Sequence, residues 1–465
     1  GILKQDPEAM LKSGLHPCPD VEIKFWKKKA ESLNAVFDQL QGKEIGRVLR
    51  TLDKSKSTYC ASFAELCKEV YEARLEANSN VKFLNTLEKL FDKLINGDDI
   101  LKLKDLFRPI LFTILMIWKN SEYYNTPSRI VVLFNQICNA LIEQSCRYIS
   151  GEQIFNFIEN EEANEALKHL ETIMAVCSKF KVDYFDFKQK SAVDCPANPW
   201  KIQNNAIFLR LDTFLERCHD IFDFTETIIQ FTKLAKIEIG STKGNTLTKS
   251  VHRIHDDFEV RVEIMKNVDY DLMDVTKEEF DDLYQDFRHA VKELERRLGS
   301  LISIGLEDCS TIYGKFQLLD SFDKKLLNRL IIKDELESKH IDLLQAYHRD
   351  LKLVEQLFIS NRNNPPMELS KNLPPVSASL SCCRSLIQRI NVPMTKLTQL
   401  DRSILNREEA KEVMKMQKSL LELLEDYEKQ QSLEWSSSIH VSSEEKLNLN
   451  LLSRNPETRH LKTNF

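Results

Sequence analysis

The sequence predicts an all-α protein: an elongated stack of helical bundles, with a small extended or strand-containing segment near the C-terminus. Three observations predict this class. Apolar residues recur at helical spacing from Asp20 to Tyr427. Glycine (11) and proline (13) are scarce among the 465 residues, so long helices can continue unbroken. The chain is also too long for one compact domain, which favours several units. We expect at least two-thirds of the chain to be helical.

The N-terminal part of the chain is predicted to form a helical hairpin followed by further helices. Asn96 and Gly97 are typical of a helix end, and Thr126-Pro127 is typical of a helix start. Between Leu106 and Trp118 the sequence is apolar nearly all round, which indicates a helix buried between neighbours, with Pro109 tolerated near its start or kinking it. The helices expected here cover residues 20–52, 57–94, 100–120, 128–150 and 162–181.

The clearest periodicity lies in the middle of the chain. After further predicted helices at 201–239 and 247–268, apolar residues over 278–302 alternate steps of four and three. Such a seam requires a partner helix. The same spacing recurs over 336–358 and 413–427, so these helices are expected to pack side by side. The first seam consists of Phe280, Tyr284, Phe287, Val291, Leu294, Leu298 and Leu301.

Breaks in the pattern divide the chain into modules. Pro196 and Pro199 interrupt it near residue 195, and a cluster of prolines interrupts it again over 363–376. Beyond Trp435 a short alternation that includes Ile439 and Val441 indicates strands. The predicted modules are an N-terminal helical bundle (1–195), a second helical module with long amphipathic helices (196–362), a proline-rich extended linker (363–376), a helical module (377–434) and an extended or β-hairpin segment (435–465).

Composition argues against several classes of protein. The net charge of −6 arises from 65 basic and 71 acidic residues that interleave, which does not favour nucleic acid as a partner. The longest apolar run, Leu111 to Trp118, is far shorter than the ~20 residues of a membrane span, and no secretory signal is recognisable, so we expect no membrane partner. The 11 cysteines lack repeating spacings, which favours buried reduced thiols. The polar start at Gly1 suggests an internal piece of a longer chain.

Candidate nucleotide and metal sites are weak. The segment from Gly240 to Gly244 has the wrong spacing for a phosphate loop. His252 and His255, followed by Asp256 and Asp257, could ligate a metal, but a solvated helix face is the better interpretation because no third strong ligand lies nearby in sequence.

The remaining cysteine and histidine candidates are better explained by packing. Cys382 and Cys383 are adjacent, and adjacent cysteines seldom bridge or ligate one metal. His340 lies on an apolar seam, as a core or edge histidine would, and His348 lies eight residues further along the same helix. We therefore predict no catalytic, cofactor-binding or metal-binding residues and no cofactor.

Several segments resemble, in order, the tail of axonemal dynein heavy chains. They cover nearly the whole chain and begin with VEIKFWKKKAESLNAVFDQL at 21–40. Two positions depart from the family pattern, because Ala378 lies where the family tends to have glycine and Cys382 where it tends to have tryptophan. The other similar segments are EANSNVKFLNTLE (76–88), SEYYNTPSRIVVLF (121–134), KHIDLLQAYHRDLKLVEQLF (339–358), PPVSASLSCCRSLIQRINVPM (374–394) and the final 33 residues from Leu433.

The resemblance implies a mechanical function. In that family the tail is a non-catalytic scaffold, and the ATPase ring, linker and microtubule-binding stalk lie C-terminal to it. The implied partners are other dynein heavy chains, WD-repeat intermediate chains, light chains and docking proteins on doublet microtubules. The implied location is the cytoplasm, cytoskeleton and ciliary axoneme, and the motif style is closer to outer-arm than to inner-arm chains.

Two other functions remain open on the residues alone. An unrelated tethering or spectrin-like scaffold would explain the helices but not the ordered segments. An enzyme would need titratable groups that converge between bundles. If the chain is a scaffold, we expect partners to bind the C-terminal half, at the helices over 278–302 and 336–358 and the segment 364–375. If the seams instead face each other inside one bundle, binding would use the outer faces.

Overall fold

The structure is a computed structural model that describes residues 16–194, 202–240, 244–362, 371, 373–400, 402–447, 452–454 and 459–463. Of the described residues, 85% are helical, which exceeds the predicted two-thirds and confirms the all-α class. The N-terminal α-helices are α1 (Pro19–Leu40), α2 (Lys43–Lys54), α3 (Tyr59–Asn96), α4 (Leu103–Asn120), α5 (Pro127–Tyr148), α6 (Gly151–Glu159) and α7 (Ala163–Asp194).

Helices also make up most of the remaining chain. They are α8 (Asn204–Thr232), α9 (Gly244–Lys266), α10 (Glu279–Asp308), α11 (Ile312–Asp320), α12 (Lys324–Leu327), α13 (Leu330–Glu337), α14 (His340–Asn361), α15 (Pro375–Leu400) and α16 (Glu408–Leu447). Short 3-10 helices cover Ile100–Lys102, Lys233–Lys236 and Arg402–Asn406. Two strands, β1 (Leu452–Arg454) and β2 (Leu461–Thr463), pair antiparallel with Ser453 opposite Lys462.

The chain divides into two compact units. Unit 1 contains residues 1–229 and 262–286, and unit 2 contains residues 230–261 and 287–465. The predicted module boundary near residue 195 is next to residues 195–201, which lie outside the described ranges, so the division into modules stays a prediction.

Unit 1 is built on the pairing of α1 with α3. The two helices contact each other along much of their length and bury Trp26, Leu84 and Leu87 between them and their neighbours. Helix α4 packs against α3 and α7, with Phe107 edge-to-face on Phe180 at 5.2 Å between ring centroids. Eight of the 18 residues of α4 are buried, so the helix packs as the apolar run predicts on one side, whereas Phe112 and Met116 are exposed on the other. Pro109 is accommodated inside the helix.

Unit 2 contains a three-helix arrangement of α14, α15 and α16. The Tyr347 hydroxyl of α14 donates to the Ile390 carbonyl of α15 at 2.8 Å. The rings of Phe358 and Tyr427 meet edge-to-face at 5.2 Å, which joins α14 to α16. Ala378, at a position where the resembled family tends to have glycine, is fully buried in α15. A small side chain at this position is therefore compatible with close helix packing.

The prediction of an extended or β-hairpin segment from residue 435 is wrong for residues 435–447, because these residues continue α16. No glycine or proline interrupts the chain between Glu408 and Leu447, so helix propagation continues at little cost. The alternation at Ile439 and Val441 spans too few residues to oppose it. Pro375 and Val376, predicted to end the extended linker, form the first turn of α15, where proline is well tolerated. Residues 363–370 and 372 of that linker lie outside the described residues.

Candidate partner-binding surfaces

Two of the four candidate metal ligands of α9, His252 and Asp257, are engaged within the protein. The His252 Nε2 atom lies 3.2 Å from the Ile237 carbonyl oxygen, so that ring is engaged by backbone. Asp257 accepts from the Arg297 guanidinium at 2.7 Å. Neither side chain is therefore held ready for a metal ion.

His255 differs from the predicted solvated face because its side chain is buried. Its Nδ1 lies 3.9 Å from an Asp256 oxygen and its Nε2 lies 3.6 Å from a Glu259 oxygen. One ligand atom from each of His255, Asp256 and Glu259 lies within 4.8 Å of the other two. Both carboxylates are largely exposed. Exposed carboxylates at such spacing are common without an ion, and the predicted lack of a metal site stays a prediction.

The cysteines behave as packing residues. Every cysteine within the described ranges is a free thiol. The Cys383 Sγ donates to the Leu424 carbonyl at 3.2 Å, and burial raises the pKa of this thiol to about 11. Burial likewise raises the pKa of Cys177 to about 12. Thiols with raised pKa values are poor nucleophiles.

The predicted seams face inward. In α10, Phe280, Tyr284 and Phe287 are buried, and in α14 Tyr347 and Phe358 are buried. His340 is also buried, as expected for a core histidine. These seam side chains are therefore occupied within the fold, and a partner could contact only the outer faces of the same helices.

One outer face of unit 2 forms an apolar groove between α11 and α15, which we call the α11/α15 groove. Its volume is about 450 Å³. Tyr313 is 72% exposed and Val392 is 47% exposed, whereas Phe316 is buried at the base. Its lining comprises Thr311, Ile312, Tyr313, Phe316, Asp350, Ser385, Gln388, Arg389, Val392, Pro393 and Lys396.

The charged groups of the groove are paired within the protein. Arg389 forms an ion pair with Asp350, and Lys396 forms one with Asp320. Pro393 has no amide hydrogen, so the helical hydrogen bond to the Arg389 carbonyl cannot form. The groove thus combines exposed apolar side chains with a few polar groups, a composition suited to binding a protein segment.

Sequence reasoning did not identify two buried polar groups in unit 1. Glu22 of α1 is in contact with Tyr124, and Arg217 of α8 reaches the loop between α9 and α10. Their positions in the helical pattern could have indicated burial. Glu22 lies one turn before Trp26, and Arg217 lies between Phe214 and Ile221 on the apolar face of α8.

No helix among the described residues is long and apolar enough to span a lipid bilayer. Together, the inward-facing seams, the packed cysteines and the apolar outer faces define a helical scaffold.

Comparison with known proteins identifies the family. Residues 1–465 match the family model described as dynein heavy chain, N-terminal region 1. The chain is 43% identical over 458 residues, 98% of its length, to the dynein beta chain of the flagellar outer arm of Chlamydomonas reinhardtii. It is 31% identical over 481 residues to the ciliary dynein beta chain of Tripneustes gratilla, and 28% identical over 477 residues to human dynein axonemal heavy chain 9.

The chain therefore belongs to the dynein heavy chain N-terminal region family, as the ordered segments predicted. It spans 10% of the length of each of these relatives, so it corresponds to part of their N-terminal tail region.

Proposed function

We propose that this chain is the tail segment of an axonemal dynein heavy chain and serves as a non-catalytic scaffold. The observation that supports this most is the match to the N-terminal region model over residues 1–465. The parent heavy chain would be an ATP-driven microtubule motor whose ATPase ring lies outside this segment. Inward-facing seams support the proposal, because a chain of tightly packed helices resists deformation and can transmit force.

The proposed partners are other heavy chains, WD-repeat intermediate chains, light chains and docking proteins on doublet microtubules. The proposed location is the axoneme of a cilium or flagellum, within the cytoskeleton of the cytoplasm. Relatives described as flagellar outer arm and ciliary chains support this location and favour an outer-arm motor.

Within the chain, we place the intermediate-chain contact on unit 2, at the α11/α15 groove. This retains the predicted C-terminal half but replaces the buried seams with an outer face. Tyr313 and Val392 supply the exposed apolar surface, and aromatic side chains often dominate the binding free energy of protein interfaces.

Capture of a purified WD-repeat intermediate chain by the full 465-residue chain tests this placement. We expect Tyr313→Ser combined with Val392→Ser to weaken binding by about tenfold or more, because the apolar anchors are lost. The matched control is Val182→Ser with Leu209→Ser, which changes two similarly exposed apolar residues of unit 1.

The outcomes separate the hypotheses. Equal loss in both double variants, or none in the groove variant, would show the placement wrong. If the wild-type chain captured neither intermediate chain nor another heavy chain, the alternative of an unrelated tethering scaffold would be favoured.

A further inference from the structure

A buried carboxyl group lies in unit 1, and no ion pair joins it to a cation of the described residues. Glu22 of α1 is 3% exposed and accepts a hydrogen bond from the fully buried Tyr124 hydroxyl through Oε1. Its other oxygen, Oε2, has no hydrogen-bond partner, and neither has the buried Oε1 of Gln136 in α5. The Gln136 and Trp26 side chains both interact with this carboxyl group.

The nearby charged groups are engaged elsewhere. Arg129 forms an ion pair with Glu76 of α3, and its guanidinium carbon lies 5.4 Å from the centroid of the Trp26 ring and 5.7 Å from that of Tyr124. The Lys29 ammonium lies 5.1 Å from the centroid of the Trp26 ring. Among the residues that the structure describes, the titratable side chain hydrogen-bonded to Glu22 is Tyr124, whose hydroxyl is the donor.

An ionised Glu22 would be a buried charge that is stabilised at close range by neutral groups alone, namely the Tyr124 hydroxyl and the Gln136 and Trp26 side chains, which is a costly arrangement. It would also leave two buried acceptors, Glu22 Oε2 and Gln136 Oε1, without a hydrogen-bond partner. A protonated Glu22 removes both problems, because Oε2–H can donate to Gln136 Oε1 while Oε1 keeps the Tyr124 bond.

We propose that Glu22 is held as an uncharged carboxylic acid whose proton bonds Gln136, and that the packing of α1 against α5 depends on this proton. Burial acts in the same direction, since it raises the pKa of Glu22 against the opposing effects of the Tyr124, Gln136 and Trp26 side chains and the Arg129 charge. Unit 1 thus contains a pH-sensitive contact between two of its helices.

The sign of the pH dependence follows from proton linkage. The folded chain keeps this proton at pH values where the unfolded chain has lost it, because the ordinary glutamate pKa is 4.5. The stabilisation by Glu22 is therefore complete below that pKa and is lost as pH rises through the folded-state pKa. Between the two pKa values, the unfolding equilibrium constant should rise about tenfold per pH unit for this one proton.

Comparison of the full chain with Glu22→Gln tests the proposal. Glutamine keeps the shape and the donor but cannot ionise. Infrared spectra at pH 7 should contain a protonated-carboxyl band in the wild type that is absent from Glu22→Gln. Amide exchange of α1, compared at the same pH, should become progressively faster in the wild type than in the variant as pH rises. Glu31→Gln, an exposed change on the same helix, should affect neither measurement.

A second variant covers the case in which Glu22→Gln does not fold. Tyr124→Phe removes the donor to Oε1, so the carboxyl band should remain but shift in frequency. A wild-type spectrum without a protonated carboxyl band at pH 7 would overturn the proposal, as would α1 exchange that differs between wild type and Glu22→Gln by a pH-independent factor. Neither result would affect the proposed scaffold function.

Discussion

Arg217 is the residue that organises the loop between α9 and α10. It is 3% exposed, and its guanidinium donates to the carbonyls of Leu272 and Asp274 at 3.2 Å and to that of Lys277 at 3.0 Å. It also bonds Asp281 at 3.0 Å. A planar guanidinium presents five donors in fixed directions, whereas an ammonium cannot reach four separated acceptors.

We expect Arg217→Lys to destabilise unit 1 by about 1–3 kcal/mol, because buried carbonyl groups lose their donors. Urea unfolding measures the stability change, and hydrogen exchange of residues 267–278 should become faster. Arg296→Lys, at an arginine that is largely exposed, serves as the control and should stay within about 0.5 kcal/mol of wild type. Unchanged exchange of the loop in Arg217→Lys would refute the assigned role.

At the scale of elements, the close contact of α6 with the loop between α9 and α10 requires glycine at position 151. Gly151 begins α6, and its amide donates to Asp271 Oδ1 at 2.9 Å. A Cβ atom there would meet that oxygen at 2.8 Å and the Leu272 amide nitrogen at 3.0 Å. Gly46, inside α2, has no atom within 4 Å of the same added carbon.

Replacement of each of the two glycines by alanine should therefore change the stability of unit 1 in opposite directions. We expect Gly151→Ala to lower the stability of unit 1, because the loop at Asp271 must move. Gly46→Ala should raise it by about 0.5–1 kcal/mol, since alanine loses less backbone entropy in a helix. Thermal unfolding of both variants measures the difference, and stabilisation by Gly151→Ala would contradict the described contact.

Helix α16 offers an internal comparison of core and surface. Leu424 is 0% exposed, whereas Leu433, further along the same helix, is 71% exposed. We expect Leu424→Ala to cost about 2–5 kcal/mol through lost burial and an unfilled cavity. Leu433→Ala should change stability by at most about 0.5 kcal/mol. Chemical denaturation followed by circular dichroism distinguishes them, and similar losses would mean that the end of α16 is covered in solution.

At the scale of the whole molecule, the chain presents helical surfaces without a recognisable reaction centre among its described residues. We expect the purified chain to bind neither ATP nor zinc with micromolar affinity and to hydrolyse no nucleotide, because it lacks a phosphate-loop motif and a set of strong zinc ligands. Isothermal titration calorimetry is the direct measurement. Micromolar affinity for either ligand would contradict this expectation.

Sequence reasoning predicted the candidate surfaces only in part. The seam of α10 was evident from spacing, but the spacing cannot say whether Tyr284 and Phe287 face another helix of the same chain or a partner. The α11/α15 groove was not predicted, because Tyr313 and Val392 are far apart in the sequence and neither belongs to a long periodic run. A groove is a property of two elements at once.

The sequence by itself determined the helical class, the approximate extent of most helices and the family, because helical periodicity and ordered sequence motifs are local properties. Only the tertiary structure decided that the seams are buried, that Glu22 and Arg217 point into unit 1, and that His255 is covered. Burial depends on which distant elements come together, and a 3.6-residue repeat specifies a face without specifying what covers that face. The continuation of α16 through residue 447 has a local cause instead, because helix propagation without a breaker prevails over a weak alternation.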